Sequence, residues 1–247
     1  MKIAVISDIH SNLEALTAVL DDIQEQGVEQ IICLGDVVGY GPNPRECLDI
    51  IMREATVCIL GNHDQGAMWD PEGFHASAER AIFWTREQLE DYSMPNAEER
   101  WEFLNGCPRR HEDGELMFVH GSPRNPLNEY VFPENIYDPQ KMERLFQLIK
   151  KCCFQGHTHV PGVFTQKEFF SPSDLENEYR ITDQKVMVNV GSVGQPRDLD
   201  PRSCYVIVND GLVQYRRIEY PLQETAAKIE RITALDDHFG NRLRDGR

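Results

Sequence analysis

The sequence predicts an α/β protein in which two packed, mixed β-sheets carry α-helices on their outer faces. Three observations lead there. Short apolar runs alternate with helical-period segments through the first sixty residues, the pattern of a mostly parallel, covered sheet. The later apolar runs flank Asn209-Asp210-Gly211, a hairpin signal that calls for antiparallel strands. With 247 residues, 40% of them hydrophobic, the chain can bury a sizeable core as one domain spanning 1–247.

In order, Lys2 to Ile6 reads as a buried strand. Ser11-Asn12-Leu13-Glu14 has the form of a capping box, and Leu13, Leu16, Leu20 and Ile23 recur at helical spacing until Gly27 stops the helix. Gln30 to Leu34 is a second strand, Pro44 to Arg53 a helix and Thr56 to Leu60 a third strand. From about 70 to 105 the composition turns to Glu, Arg and Ala with scattered aromatics, which predicts a helical insert of two helices leaving the sheet. Phe83, Trp84, Leu89, Trp101, Phe103 and Leu104 would anchor them to the core. Strands are expected at Glu115–Val119, Cys152–Gln155 and Val186–Val190, with a helix over Pro139–Lys151 between the first two. Ser203–Val208 and Val213–Tyr220 form the hairpin, and Pro221–Leu235 a final helix.

The charge and the cysteines narrow the setting. A net charge of −16 argues against binding a nucleic-acid backbone, which needs Lys and Arg to displace counterions. It does not exclude a phosphate substrate, because bound divalent cations reverse the local field. Seven cysteines without a C-x-x-C pair suit buried, reduced thiols and a cytoplasmic setting. Cys152 and Cys153 should face opposite sides of their strand. No apolar run reaches the length of a membrane span, and six residues before Ser7 cannot form a signal peptide.

The chemistry lies at the carboxyl ends of the strands. These ends read Asp8-Ile9-His10, Gly35-Asp36, Gly61-Asn62-His63-Asp64, Val119-His120-Gly121 and Gly156-His157-Thr158-His159. Taken singly each is weak: a D-x-H tripeptide is common, Gly-Asp is often only a turn, and a lone histidine usually packs in a core. Taken in order, five strand ends deliver carboxylate, imidazole and amide groups to the edge where α/β sheets gather ligands, and those groups bind divalent metals.

This order of blocks resembles the calcineurin-like metallophosphoesterase superfamily, in particular its bacterial and archaeal predicted phosphodiesterases, over Lys2 to about Arg197. The resemblance implies a four-layer αββα sandwich and a hydrolase of phosphate esters with two divalent metal ions. Manganese is the first expectation, and Fe, Zn, Co or Ni suit the same ligands. It implies that Asp8, His10 and His159 hold one ion, that Asn62, His120 and His157 hold the other, that Asp36 bridges them, and that His63 is the catalytic histidine. Two such ions clamp the attacking and leaving oxygens of an in-line displacement and make hydroxide available near neutral pH. His63 would then protonate the leaving oxygen or orient the substrate.

Where the Ser/Thr protein phosphatases carry Asp-Arg-Gly, this chain has Gly39-Tyr40-Gly41. The orienting Asp and the phosphate-gripping Arg are therefore missing, which weakens a protein-phosphatase reading. Arg197 and Arg124 are the cationic candidates for substrate phosphate, with Tyr40 beside them. The expected substrate is a small phosphodiester or nucleotide-type phosphate. The alternatives are a Ser/Thr-type protein phosphatase, or a metal-binding scaffold without turnover such as the retromer subunit of this fold. Substrate identity and assembly into a homo-oligomer stay open at this level.

Overall fold

A computed structural model describes residues 2–247. Twelve strands form two mixed six-stranded sheets among the described residues. The first sheet runs β3 (Val57–Cys58), β2 (Gln30–Cys33), β1 (Lys2–Ile6), β11 (Ser203–Asn209), β12 (Leu212–Ile218) and β9 (Glu178–Arg180). The second runs β4 (Arg110–Asp113), β5 (Leu116–Val119), β6 (Cys152–Gln155), β10 (Val186–Asn189), β7 (Gly162–Phe164) and β8 (Phe169–Phe170). β1, β2 and β3 are mutually parallel, as are β5, β6 and β10. The remaining pairings are antiparallel.

The period of two along each strand separates the layers. Ile3 and Val5 of β1 face Phe118, Phe154, Val186 and Val188 of the other sheet in one inter-sheet core. Ala4 and Ile6 face outward to α1 (Leu13–Glu25) and α2 (Pro44–Glu54), against Leu16, Val19, Leu48 and Ile51. Cys152 belongs to the inter-sheet core, while its neighbour Cys153 packs on the far side under α6 (Pro139–Gln147) with Met142 and Leu145. All seven cysteines are free thiols, six of them buried. No helix among the described residues is long and apolar enough to cross a membrane.

The 70–105 stretch holds α4 (Ala76–Leu89) and then α5 (Ala97–Gly106), which ends one residue beyond it. Ile82, Leu89 and Leu104 enter the α1–α2 core, with Trp101 and Phe103 packed against it. Phe83 differs from the expectation: it stays 39% exposed, on the solvent side of α4. Arg100 of α5 grips Asp49 of α2 with two hydrogen bonds, 2.8 and 2.7 Å.

Several elements depart from the pattern in the residues. Asn12, not Ser11, caps α1, its Oδ1 accepting from Ala15 N at 3.1 Å. Glu14 does not close a capping box but pairs with Thr225 and Lys228. The third strand shortens to two residues, and α6 stops at Gln147. The final helix is two: α7 (Leu222–Glu230) and α8 (Asp237–Asp245), the second capped by Asp236. A seven-residue helix, α3 (Asn62–Met68), and a 3-10 turn at Pro133–Tyr137 complete the chain.

Candidate metal centre

Five of the six parallel strands end along one edge and continue into the candidate residues. Asp8 and His10 follow β1, Asp36 follows β2, Asn62 and His63 open α3 after β3, His120 follows β5, and His157 and His159 follow β6. All eight are buried. Asp8, His10, Asp36, His157 and His159 also take positive φ, between 48° and 65°. Left-handed backbone outside glycine costs about 1 kcal/mol or more per residue, and it persists only where surroundings enforce it. Here the loops lock one another: Asp8 N donates to Gly35 O (3.0 Å), His10 N to Asp36 O (2.9 Å) and His157 N to Asp8 Oδ2 (2.9 Å). Two glycines permit this closeness. A Cβ on Gly156 would stand 2.4 Å from Asp8 Oδ2, and one on Gly61 2.1 Å from Asp36 Oδ1.

Backbone carbonyls decide which ring nitrogens can bind a cation. His10 Nδ1 lies 3.3 Å from Val38 O, His159 Nδ1 2.6 Å from Gln195 O and His120 Nδ1 3.0 Å from Leu34 O. A carbonyl only accepts, so each Nδ1 carries the hydrogen and each Nε2 presents a lone pair. Those lone pairs converge on one another. His10 Nε2 is 3.1 Å from His159 Nε2, and His120 Nε2 is 3.0 Å from both Asn62 Oδ1 and His157 Nδ1.

Asp8 Oδ1 is buried without a hydrogen-bond partner, 3.3 Å from His159 Nε2. Asp36 Oδ1 accepts from His63 N at 2.8 Å. Its Oδ2 lies between the two clusters, 3.6 Å from His10 Nε2 and 3.4 Å from His120 Nε2. Facing acceptors with no donor between them need a cation, so these residues fit a metal site. The ligand atoms fall into overlapping buried groups, Asp8–His10–His159, Asp36–His120–His157 and His10–Asp36–His63, each within 4.8 Å. The arrangement is consistent with a binuclear site.

The electrostatics follow from burial and crowding. Burial pushes the Asp8 and Asp36 carboxyls up, but the neighbouring imidazoles outweigh it and hold both below the usual carboxylate range. Burial drives His63 down to about 4 against the pull of Asp36, and His157 down to about 3. Burial also opposes charge on His120, yet Asp36 and Asp8 lift it to about 9, so the two carboxylates favour a positive charge at its Nε2, whether a proton or a metal ion.

Around the cluster, His63 Nδ1 is buried without a partner, and a Cβ on Gly39 would stand 2.5 Å from it. Tyr40 packs its ring 4.4 Å from His63 and 4.8 Å from His10. Arg197 holds its guanidinium 5.9 Å from the Tyr40 ring. Arg124, by contrast, is 43% exposed, and its fork is engaged by Glu129.

Three neighbours were not singled out by residue type. Asp64 accepts from Val38 N and Gly61 N, both at 3.1 Å, and so ties the Asp36 loop to α3. Its place at the third position of a helix was the available signal. Phe74 meets the His63 ring edge-on at 4.8 Å, and Tyr130 stacks on His157 at 3.8 Å. Neither has a local sequence signal, because both contacts are made by loops folding back.

Comparison with known proteins agrees with this geometry. A family profile described as the calcineurin-like phosphoesterase superfamily domain matches residues 1–210. An uncharacterised protein of Methanocaldococcus jannaschii is 36% identical over 99% of this chain and 98% of its own length. The crystal structure of a metallophosphoesterase from Sphaerobacter thermophilus superposes with a TM-score of 0.82 at 34% identity, covering 100% of this chain and 99% of that one. A hypothetical protein from Pyrococcus horikoshii shares the fold at a TM-score of 0.77 and 22% identity, covering 100% and 98%.

Proposed function

Since the chain belongs to the calcineurin-like phosphoesterase superfamily, and is by that membership a hydrolase of phosphoester bonds, we propose that it cleaves a small phosphodiester or nucleotide-type phosphate at a two-metal centre. In this reading Asp8, His10 and His159 would hold one divalent ion and Asn62, His120 and His157 the other, with Asp36, whose Oδ2 lies between the two groups, shared by both. The observation that carries the assignment is the convergence of unpaired Nε2 lone pairs on either side of that oxygen. When bound, two such ions neutralise phosphate charge and bring water to its hydroxide form near neutral pH. Manganese is the first metal to test.

The chain's own residues supply the rest. His63 stands beside Asp36 and hydrogen-bonds the phosphoryl group or its leaving oxygen. Arg197 grips a phosphoryl oxygen, since a guanidinium fork suits phosphate geometry, while Tyr40 holds that fork in place. Arg124 is the weaker cationic candidate because Glu129 already takes its fork.

The choice of small diesters over phosphopeptides rests on Gly39 and Tyr40. The loop offers His63 no carboxylate, and no arginine at position 40 waits for a doubly charged monoester. The test is the ratio of kcat/KM values at one metal loading, which reports differential transition-state binding. Diesters or nucleotide polyphosphates are expected to exceed phosphoserine and phosphothreonine peptides. A clear preference for the peptides would return the protein-phosphatase reading.

A further inference from the structure

Polar contacts do not fix the His63 ring. Its Nδ1 is buried without a hydrogen-bond partner, and a Cβ on Gly39 would stand 2.5 Å from it. No carboxylate at position 39 orients the imidazole, and with Nδ1 closed in, Nε2 is the nitrogen left to meet a substrate. Three other rings hold it instead. Tyr40 lies 4.4 Å away and tilted by 55°, His10 4.8 Å away at 80°, and Phe74 4.8 Å away at 77°. His10 and Tyr40 belong to the loops after β1 and β2. Phe74 comes from the connection between α3 and α4 and belongs to no ligand block.

That connection is fastened to the helix that carries His63. His63 and Gly66 are three residues apart, hence on one face of α3. A Cβ on Gly66 would stand 3.5 Å from Phe74 Cε2 and 3.2 Å from Ile82 Cδ1 of α4. The bare backbone at Gly66 thus seats the Phe74 ring along the face that presents His63. Arg86 of α4 closes the clasp. Its Nε donates to Ala67 O at 2.7 Å, and its Nη2 donates to Gly66 O at 2.9 Å and to Trp69 O. Gly66 and Ala67 stand in the last turn of α3, where carbonyls lack partners within the helix. The chain therefore leaves α3 from a fixed point and returns Phe74 to the His63 ring edge-on, the arrangement that two aromatic rings favour.

We propose that Phe74 is the positioning residue of His63: seated on Gly66, its ring aims His63 Nε2 at the leaving oxygen, in place of the carboxylate that Gly39 excludes. This rests on the reading of His63 as the group that hydrogen-bonds that oxygen. As the hydroxyl of water joins phosphorus and the P–O bond breaks, the leaving oxygen gathers negative charge, and the hydrogen of that water ends on it. The N–H of His63 stabilises this charge only when well aimed, and a misplacement of about 1 Å costs about a hundredfold.

Two diesters, methyl phenyl phosphate and methyl p-nitrophenyl phosphate, separate aim from general damage. Phenoxide concentrates charge on the leaving oxygen and needs the N–H; p-nitrophenoxide spreads its charge and needs it less. In the metal-loaded full chain, Phe74→Leu is expected to keep wild-type metal content and KM. It should lose about tenfold in kcat on the phenyl ester, part of the roughly hundredfold that one donor to a developing charge supplies, and little on the nitrophenyl ester. Phe74→Tyr, which keeps a ring, should stay near wild type. His63→Asn should show the same leaving-group selectivity, and adding Phe74→Leu to it should cost nothing more, because the two residues act as one unit. Loss of metal in Phe74→Leu, an equal loss on both esters, a Phe74→Tyr loss as large as that of Phe74→Leu, or losses that multiply in the double variant would each overturn the proposal. Failure of the underlying reading shows separately, as a His63→Asn variant that loses the same factor on both esters.

Discussion

At the scale of single residues, the centre is held by backbone closeness as much as by ligand type. Gly156 shows this, since any side chain there meets Ser7 Oγ at 2.1 Å as well as the Asp8 carboxylate. Gly156→Ala should therefore displace Asp8, lower bound metal below two ions per chain and cost about 1–3 kcal/mol of stability, the range for overpacking. Elemental analysis and a denaturant melt check both, and a variant that keeps two ions and wild-type stability contradicts this role for Gly156. Asp36 and His63 should separate in the same assay. Asp36→Asn is expected to strip metal and activity together, while His63→Asn keeps the metal and loses turnover; the reverse pattern would exchange their roles. The candidate ligand blocks stood out in the sequence because each joins a metal-binding residue type to the end of an apolar run, and all of them are buried. Tyr130 and Phe74 did not, because nothing beside them in the chain announces contact with His157 or His63.

At the scale of elements, the long-period helices and the hairpin were readable from apolar spacing and turn chemistry. Asp210 and Gly211 both take positive φ, 47° and 77°, as a two-residue hairpin turn requires. The short strands were not readable. β4 is Arg-His-Glu-Asp, an edge strand with no apolar signal, and β8 is two residues defined only by pairing with β7. Tertiary partners also overrode a local motif, since Glu14 leaves its own helix to join α1 to α7. Its bonds with Lys228 and Thr225 outweigh burial and hold its carboxyl below the ordinary 4.5. A depressed acid adds stability that is complete above its unfolded value and fades as pH falls through its folded one. Glu14→Gln should thus be less stable than wild type near neutrality, and the gap should close as pH drops below 4.5. Urea midpoints across that range check it, and a gap that does not change with pH would contradict the ion pair.

At the scale of the whole molecule, two sheets bring their parallel strands' carboxyl ends to one edge, where seven candidate ligands and His63 meet. An acidic chain of net charge −16 can present this edge to a phosphate only once cations occupy it. The alternation of strands and helices made that edge predictable, whereas the doubling of the last helix depended on packing, with Phe239 of α8 meeting the Tyr40 ring at 4.9 Å. The most direct test of a two-metal phosphoesterase is a metal titration of the stripped protein that counts bound ions while following hydrolysis of a phosphodiester. Turnover is expected to saturate at two ions per chain and to collapse, together with binding, in Asp36→Asn. Two bound ions without hydrolysis of any phosphoester, or full turnover in Asp36→Asn, would contradict it.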